Sequence, residues 1–219
     1  MTNKITGVII KKITCVIFEV KMGKPEKYTK EELVGKAVEM VRKKGIHSLG
    51  IRSLADYAGV STQPICRHFG NVKELNACVL YAINDLYEDF LKKEVQSGRY
   101  PPYKASGIGY VNFARKEPEL FKALFMRSRK NEDGKKEDAA FDAISQKVAD
   151  GYGIDYSVAR KFHLMMWLVV HGIATQIATE YLNLSEADVS DILTESFTAL
   201  SAKLFNKKQD INTENNKPE

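Results

Sequence analysis

The sequence predicts an all-α protein, with a small N-terminal helical domain followed by a larger C-terminal one. Three observations carry this. From Thr29 onward apolar residues recur at three- and four-residue spacing, the stripe a helix needs in order to bury one face, and no stretch past residue 28 reads as a convincing strand. Start and stop signals for helices are frequent, among them "TKEE" at 29–32, Gly45 after "RKK", and Pro118. Two very short helical segments, separated by Gly59, stand between longer ones; such pieces are marginal alone and must hold each other. The expected organisation is an extension and basic arm at 1–28, a three-helix domain at 29–78, a helical domain at 79–206 and a polar tail at 207–219.

Composition narrows the class. Hydrophobic residues make up 44% and charged residues 28% of the 219, ordinary for a globular protein, which excludes collagen-like repeats and wholesale disorder. Three cysteines, Cys15, Cys66 and Cys78, lack metal-ligand spacing and are odd in number, which favours a reducing cytoplasm over a disulfide framework. The apolar run Leu164–Val170 falls far short of the roughly 20 residues of a membrane span. "KKITCVIFEVK" near the start is interrupted by Glu19 and Lys21 and is not expected to be a secretion signal; Met22 is a candidate start. Charge is uneven: residues 1–78 hold 14 Lys/Arg against 7 Asp/Glu, and the remainder 19 against 21. The basic third suits a polyanion such as DNA.

The elements follow in order. Residues 1–28 contain the β-branched "GVIIKKITCVIFEV" and the basic linker "KMGKPEK". Thr29 and Glu32 are spaced as a capping box, and Leu33, Ala37, Met40 and Val41 form the first apolar stripe, ended by Gly45. After the two short helices comes a long one, Val72 to about Ser97, with Val72, Leu75, Val79, Ile83, Leu86 and Phe90 at helical period. "SGRYPPY" breaks the chain. Helices are expected from Tyr103 to Glu117, in "PELFKALF", and, after the charged loop "RSRKNEDGKK", over about Asp138–Tyr152, Tyr156–Leu182 and Glu186–Phe205, the last opened by Ser185 with Asp188. The tail "NKKQDINTENNKPE" has no apolar stripe and is expected to be disordered.

The short helices have a purpose legible in "RSLADYAGVSTQPICRHFGNVKEL", residues 52–75. A steep crossing needs a small residue in the first helix, a residue tolerant of positive φ in the turn and an apolar residue packing back; Ala55, Gly59 and Ile65 supply these, with Leu54, Ala58 and Val60 around them. This is a helix-turn-helix, motif about 51–70, whose second helix presents its N-terminal residues to a major groove. Ser61 is placed as its N-cap, and Thr62 and Gln63 are the candidate base readers, since Gln pairs bidentately with adenine and Thr meets the thymine methyl. Arg52, Arg67, His68 and Lys73, with Lys24, Lys27 and Lys30, suit phosphate. Any one of these side chains reads equally as a solvated surface residue.

The segment "TKEELVGKAVEMVRKKGIHSLGIRSLADYAGVSTQPICRHFGNVKEL" resembles the DNA-binding domain of the TetR family of bacterial transcriptional regulators, over Thr29 to about Val79. Two positions depart from the family pattern. Cys66 stands where Tyr is usual in the recognition helix, and Val72 stands where Lys is usual, with Lys73 following. Both family positions commonly meet phosphate, so the resemblance keeps Cys66 in the interface and moves anchoring to Lys73 and His68.

In the C-terminal half, His163, Trp167 and His171 fall at i, i+4 and i+8 of "FHLMMWLVVHGIA", within one stripe of a helix apolar on nearly every side, expected to be central. Residues eight apart rise roughly 12 Å along a helix, so a metal site explains this stripe poorly, and no cofactor is called for. Either the two histidines are satisfied inside a packed core, or they line an effector pocket with Trp167 and aromatics such as Phe113 and Phe125. Trp167, His171 and Gly172 also resemble the C-terminal domain of a TetR subgroup named for its Trp, His and Gly. That resemblance implies a homodimer formed by the last two helices, here through Val189, Ile192, Leu193, Phe197, Leu200 and Leu204, and a small effector that alters affinity for a pseudo-palindromic double-stranded operator. The reading is a dimeric, effector-released repressor that is not an enzyme and has no membrane partner. Two alternatives stand: an architectural or ligand-independent DNA binder, and a helical enzyme using the C-terminal cavity, for which no nucleophile, base and orienting acid are visible.

Overall fold

The computed structural model describes residues 28–128 and 135–205. The expected arm with Lys24 and Lys27, the candidate start at Met22, most of the charged loop and the polar tail lie outside the described residues. Among the described residues the chain is all-α, with nine helices, one short 3₁₀ turn at Ile46–Ser48 and no strand. The helices are α1 (Lys30–Lys44), α2 (Ile51–Ala58), α3 (Thr62–Phe69), α4 (Val72–Gln96), α5 (Pro102–Lys116), α6 (Pro118–Phe125), α7 (Lys135–Tyr152), α8 (Tyr156–Ala178) and α9 (Glu186–Phe205).

Local chemistry starts and stops the N-terminal helices. The capping box of α1 forms: the Thr29 N–H donates to Glu32 Oε2 at 2.7 Å and the Glu32 N–H to Thr29 Oγ1 at 3.2 Å. Gly59 takes φ 64°, a left-handed conformation that costs a side-chain-bearing residue about 1–2 kcal/mol, and the Val60 N–H reaches back to the Ala55 carbonyl at 3.0 Å. The sharp turn drives Leu54, Ala55 and Ala58 of α2 onto Ile65 and Phe69 of α3, all buried together with Leu33, Ala37 and Val41 of α1. Asn71 caps α4, its Oδ1 accepting from the Glu74 N–H at 3.0 Å.

Several expectations need correction. Ser61 holds the N-cap position of α3, but its side chain makes no capping bond. Val72 lies outside the apolar stripe of α4 and is 44% exposed; burial begins at Leu75 and continues through Val79 and Ile83. The helix expected to run to Leu182 stops at Ala178, because Glu180 turns the chain at φ 57° while the Glu180 N–H bonds the Ile177 carbonyl and the Tyr181 N–H bonds the Gln176 carbonyl, each at 3.0 Å. Such a turn usually carries Gly, so the sequence holds no stop signal there. Within the expected intersubunit stripe on α9, Val189 and Leu193 are buried in the protomer, while Ile192, Phe197, Leu200 and Leu204 are partly buried against the same core.

In the C-terminal domain α5 lies between α4 and α8, and α8 packs in turn against α6, α7 and α9. The last helix opens on a second capping pair, with the Ser185 N–H donating to Asp188 Oδ2 at 2.9 Å and the Asp188 N–H to Ser185 Oγ at 3.1 Å. Close approach of α4 and α5 depends on Gly109, where a Cβ would stand 3.2 Å from the Leu91 Cα and 3.3 Å from the Glu94 Cβ. Gly109→Val is expected to lower the free energy of unfolding by roughly 1–3 kcal/mol, the usual cost of overpacking a tight contact. Urea titration followed by circular dichroism measures it, and an unchanged midpoint would show that α4 and α5 tolerate a wider separation.

Candidate functional site

The DNA-facing candidates share one exposed surface. Thr62 and Gln63 open α3 and are exposed, as are Cys66 and Arg67 on the same helix; His68 is half-buried. Arg52 on α2, Lys73 at the start of α4 and Lys30 at the start of α1 are exposed as well. Ile65 and Phe69, on the opposite side of α3, are almost fully buried and tie the helix to the domain, so its outer side stands clear of the body. No acidic residue occurs anywhere in α3, which leaves nothing on it to repel phosphate. Ser61 is exposed just ahead of the helix.

The effector candidates divide between two aromatic groups joined along α8. His163 Nδ1 and the Tyr103 hydroxyl are 2.9 Å apart, and His171 Nδ1 and the Tyr110 hydroxyl are also 2.9 Å apart. Both pairs join α5 to α8. Phe141 lies on His163 at 4.4 Å between ring centroids, and Trp167 stacks on His171 at 4.9 Å and 12°. Phe113 is fully buried and Phe125 partly so; both meet Tyr87, at 5.5 and 5.2 Å, and Phe125 also meets Tyr110 at 5.0 Å. The five candidates therefore do not gather around one point. His171 and Phe125 both meet Tyr110, with Trp167 stacked on His171; Phe113 meets Tyr87, and His163 belongs to the other group with Tyr103, Phe141 and Phe162.

Burial sets the protonation of these pairs. It holds the His163 imidazole down to about 4 and lowers His171 in the same direction. Burial, with a smaller contribution from Tyr152 for Tyr103 and from Tyr87 for Tyr110, pushes both phenols well above their ordinary range. Each pair is thus neutral on both sides at physiological pH, and one proton satisfies each hydrogen bond. Among the described residues no three His, Cys, Asp or Glu side chains gather as metal ligands, and no helix is long and apolar enough to cross a membrane.

Sequence reasoning missed the partners of these histidines. Tyr103 and Tyr110 are seven residues apart on one helix, nearly the spacing of His163 and His171 on another, but nothing in one sequence says which two helices pair. It also missed the contact of α6 with α1. Arg42 Nε donates to Glu117 Oε2 at 2.7 Å, the Glu119 carboxylate lies against Gly45, and Phe121 of α6 sits 6.1 Å from the His171 ring.

The arrangement of two short crossed helices joined by a long helix to a separate helical domain is shared with known folds. Residues 103–200 match the family model described as the tetracyclin repressor-like C-terminal domain. The whole fold is TetR-like. It superposes on a TetR-like transcriptional regulator from Rhodococcus sp. RHA1 at TM-score 0.60 and 13% identity, covering 80% of this chain and 96% of that one. A fatty acid degradation regulator from Bacillus halodurans superposes at TM-score 0.55 and 13% identity, covering 81% and 96%. No curated protein matches the chain by sequence.

The depressed pKa of His163 makes stability depend on pH. Unfolded, its imidazole titrates at about 6.5; folded, it titrates at about 4. Between these values the unfolded chain binds more protons, so the contribution is present above pH 6.5 and is lost as pH falls toward 4. The loss amounts to roughly 2 kcal/mol at pH 4.5. His163→Gln removes the titration and keeps a polar partner for Tyr103, so the fall in unfolding free energy between neutral pH and pH about 4.5 is expected to be smaller in the variant by about that amount. Equal pH slopes in wild type and variant would show that burial does not hold His163 neutral.

Proposed function

We propose that the protein is a sequence-specific DNA-binding transcriptional regulator, acting as a homodimeric repressor that a small molecule releases from its operator. The observation that carries this reading is the exposed, acid-free outer side of α3, seated on a buried core through Ile65 and Phe69. Thr62 and Gln63 read base edges; Arg52, Arg67, His68 and Lys73, with Cys66 and Ser61 beside them, lie along the backbone path. The Trp167 to Gly172 arrangement further supports membership of the Trp-His-Gly subgroup, with the effector bound against the aromatic group around Trp167, His171 and Phe125, while His163 and Phe113 shape the surrounding core.

The dimer surface proposed is the outer face of α8. Leu164, Met165 and Leu168 are exposed there at 42%, 37% and 55%, on the side away from α5. Gly172 continues that face, and a Cβ at its position meets nothing within 4 Å in the protomer. A mid-helix Gly costs about 1 kcal/mol relative to Ala. The protomer gives no reason for that cost, whereas close approach of a second α8 does. Two-fold pairing on this face sets the two α3 helices for half-sites roughly 34–36 Å apart, or a multiple of it, on a pseudo-palindrome.

Selection of duplexes from a random pool by the full chain tests the reading. A pseudo-palindromic consensus is expected, with affinity falling steeply as salt rises because several phosphate contacts release counterions. Gln63→Ala should cost about 1–3 kcal/mol at that site and relax preference at one base pair, with nonspecific binding almost unchanged. Failure to enrich any sequence would overturn the proposal, and an equal loss at specific and nonspecific sites would make Gln63 an anchor only. Once an operator is in hand, compounds that lower its affinity identify the effector.

Gly172→Leu tests the dimer separately. The variant should keep its helical content and sediment as a monomer, because the added side chain obstructs the α8 contact while the protomer has room for it. A variant that remains dimeric would move the interface elsewhere.

A further inference from the structure

At the end of the C-terminal domain nearest the helix-turn-helix, a cleft of about 310 Å³ opens between the last turn of α5 and the connection from α8 to α9. Arg115, Ile177, Glu180, Leu182 and Asn183 line it. None of these belongs to the aromatic groups around His163 and His171. The volume is at the small end of ligand sites, which run roughly 300–1,000 Å³.

Its chemistry is unusual for a surface depression. Arg115 is half-buried, and one arm of its guanidinium donates to the Leu184 carbonyl at 2.7 Å, which fixes the orientation of the group. Among the described residues the guanidinium meets no carboxylate. Glu180 likewise meets no cation among the described residues, and the two do not pair across the cleft they share. Two opposite charges held apart in one cleft leave room for a molecule that carries both. Glu180 is held at the cleft by the turn that ends α8, where it is the one non-glycine among the described residues with positive φ, at 57°. Glycine would relieve a cost of about 1–2 kcal/mol there.

We propose that this cleft binds a small zwitterion, an α-amino acid with an apolar side chain. The ligand carboxylate takes the free N–H groups of Arg115 in the bidentate manner that guanidinium favours. The ammonium group lies on the Glu180 carboxylate, the side chain rests on Ile177 and Leu182, and the Asn183 carboxamide serves either charged end with a donor or an acceptor.

Calorimetric titration of the full-length protein, without DNA, tests this with L-leucine as the probe beside two derivatives that each lack one charge. N-acetyl-leucine has no ammonium and leucinamide no carboxylate. Leucine should bind at least about tenfold more tightly than either derivative. Glu180→Gln preserves size and backbone, and should bring leucine down to the affinity of N-acetyl-leucine; Arg115→Gln should bring it down to that of leucinamide. Glu180→Gly should raise the melting temperature of the free protein while losing leucine, a combination that a purely structural Glu180 does not produce. Absence of binding by leucine, valine and phenylalanine up to about 10 mM, or equal binding of leucine by wild type and Glu180→Gln, overturns the proposal. Because the readout contains no DNA, its failure is distinct from a failure to find an operator.

Discussion

A buried imidazole has to be neutral and has to be bonded, and the C-terminal domain is arranged around meeting both conditions twice. Tyr103 with His163 and Tyr110 with His171 run in the same direction along their helices, so α5 and α8 are parallel and in fixed register. The two bonds are spaced by seven residues on one helix and eight on the other, roughly 10–12 Å of rise. A slide of one helix past the other would strand two histidines and two phenols away from water, at a cost of about 1–3 kcal/mol for each unsatisfied group. With that pair fixed, α7 and α9 close the flanks of α8, and α4 lies along α5 at the distance Gly109 permits.

Two elements connect this domain to the helix-turn-helix. The long α4 begins two residues after α3 ends and runs the height of the C-terminal domain, where Arg99 beyond its far end joins Glu94 at 2.7 Å and Glu186 of α9 at 2.9 Å. The short α6 is a second link, packed on α1, α4 and α8 at once. Its Phe121 lies between Tyr110 and His171, and Glu117, just ahead of it, carries the ion pair to Arg42. The Arg42 to Glu117 bridge is partly exposed and contributes little stability by itself. Its value is positional, since it ties the end of α1 to the residue from which α6 starts.

The surfaces are sorted as cleanly as the core. The outer side of α3 carries no acid, while the outer side of α4 carries Asp85, Glu88 and Asp89 in the part that leaves the N-terminal domain. Lys92, one turn on, approaches Glu88 at 3.5 Å and Asp89 at 3.8 Å and balances part of that acidity within α4. The exposed apolar residues of α8 form a third surface, away from both.

What the sequence determined by itself was local. Helices with their caps at Thr29 and Ser185, the turn at Gly59, the short paired helices and the exposed entry of α3 at Thr62 and Gln63 all follow from spacing and from the conformational limits of individual residues, which act over a few positions. What only the tertiary structure decided was which faces meet. In the apolar stripe of α9 the protomer itself buries Val189 and Leu193 and part of Ile192, Phe197, Leu200 and Leu204, because hydrophobic periodicity marks an apolar face without naming what covers it. The halt at Glu180 left no trace in residue type, since the Ile177 and Gln176 carbonyls close a turn that glycine would ordinarily mark. The partners of His163 and His171 lie sixty and sixty-one residues away in the chain, and a desolvated imidazole acquires its low pKa and its tyrosine only when the helices that carry them have packed.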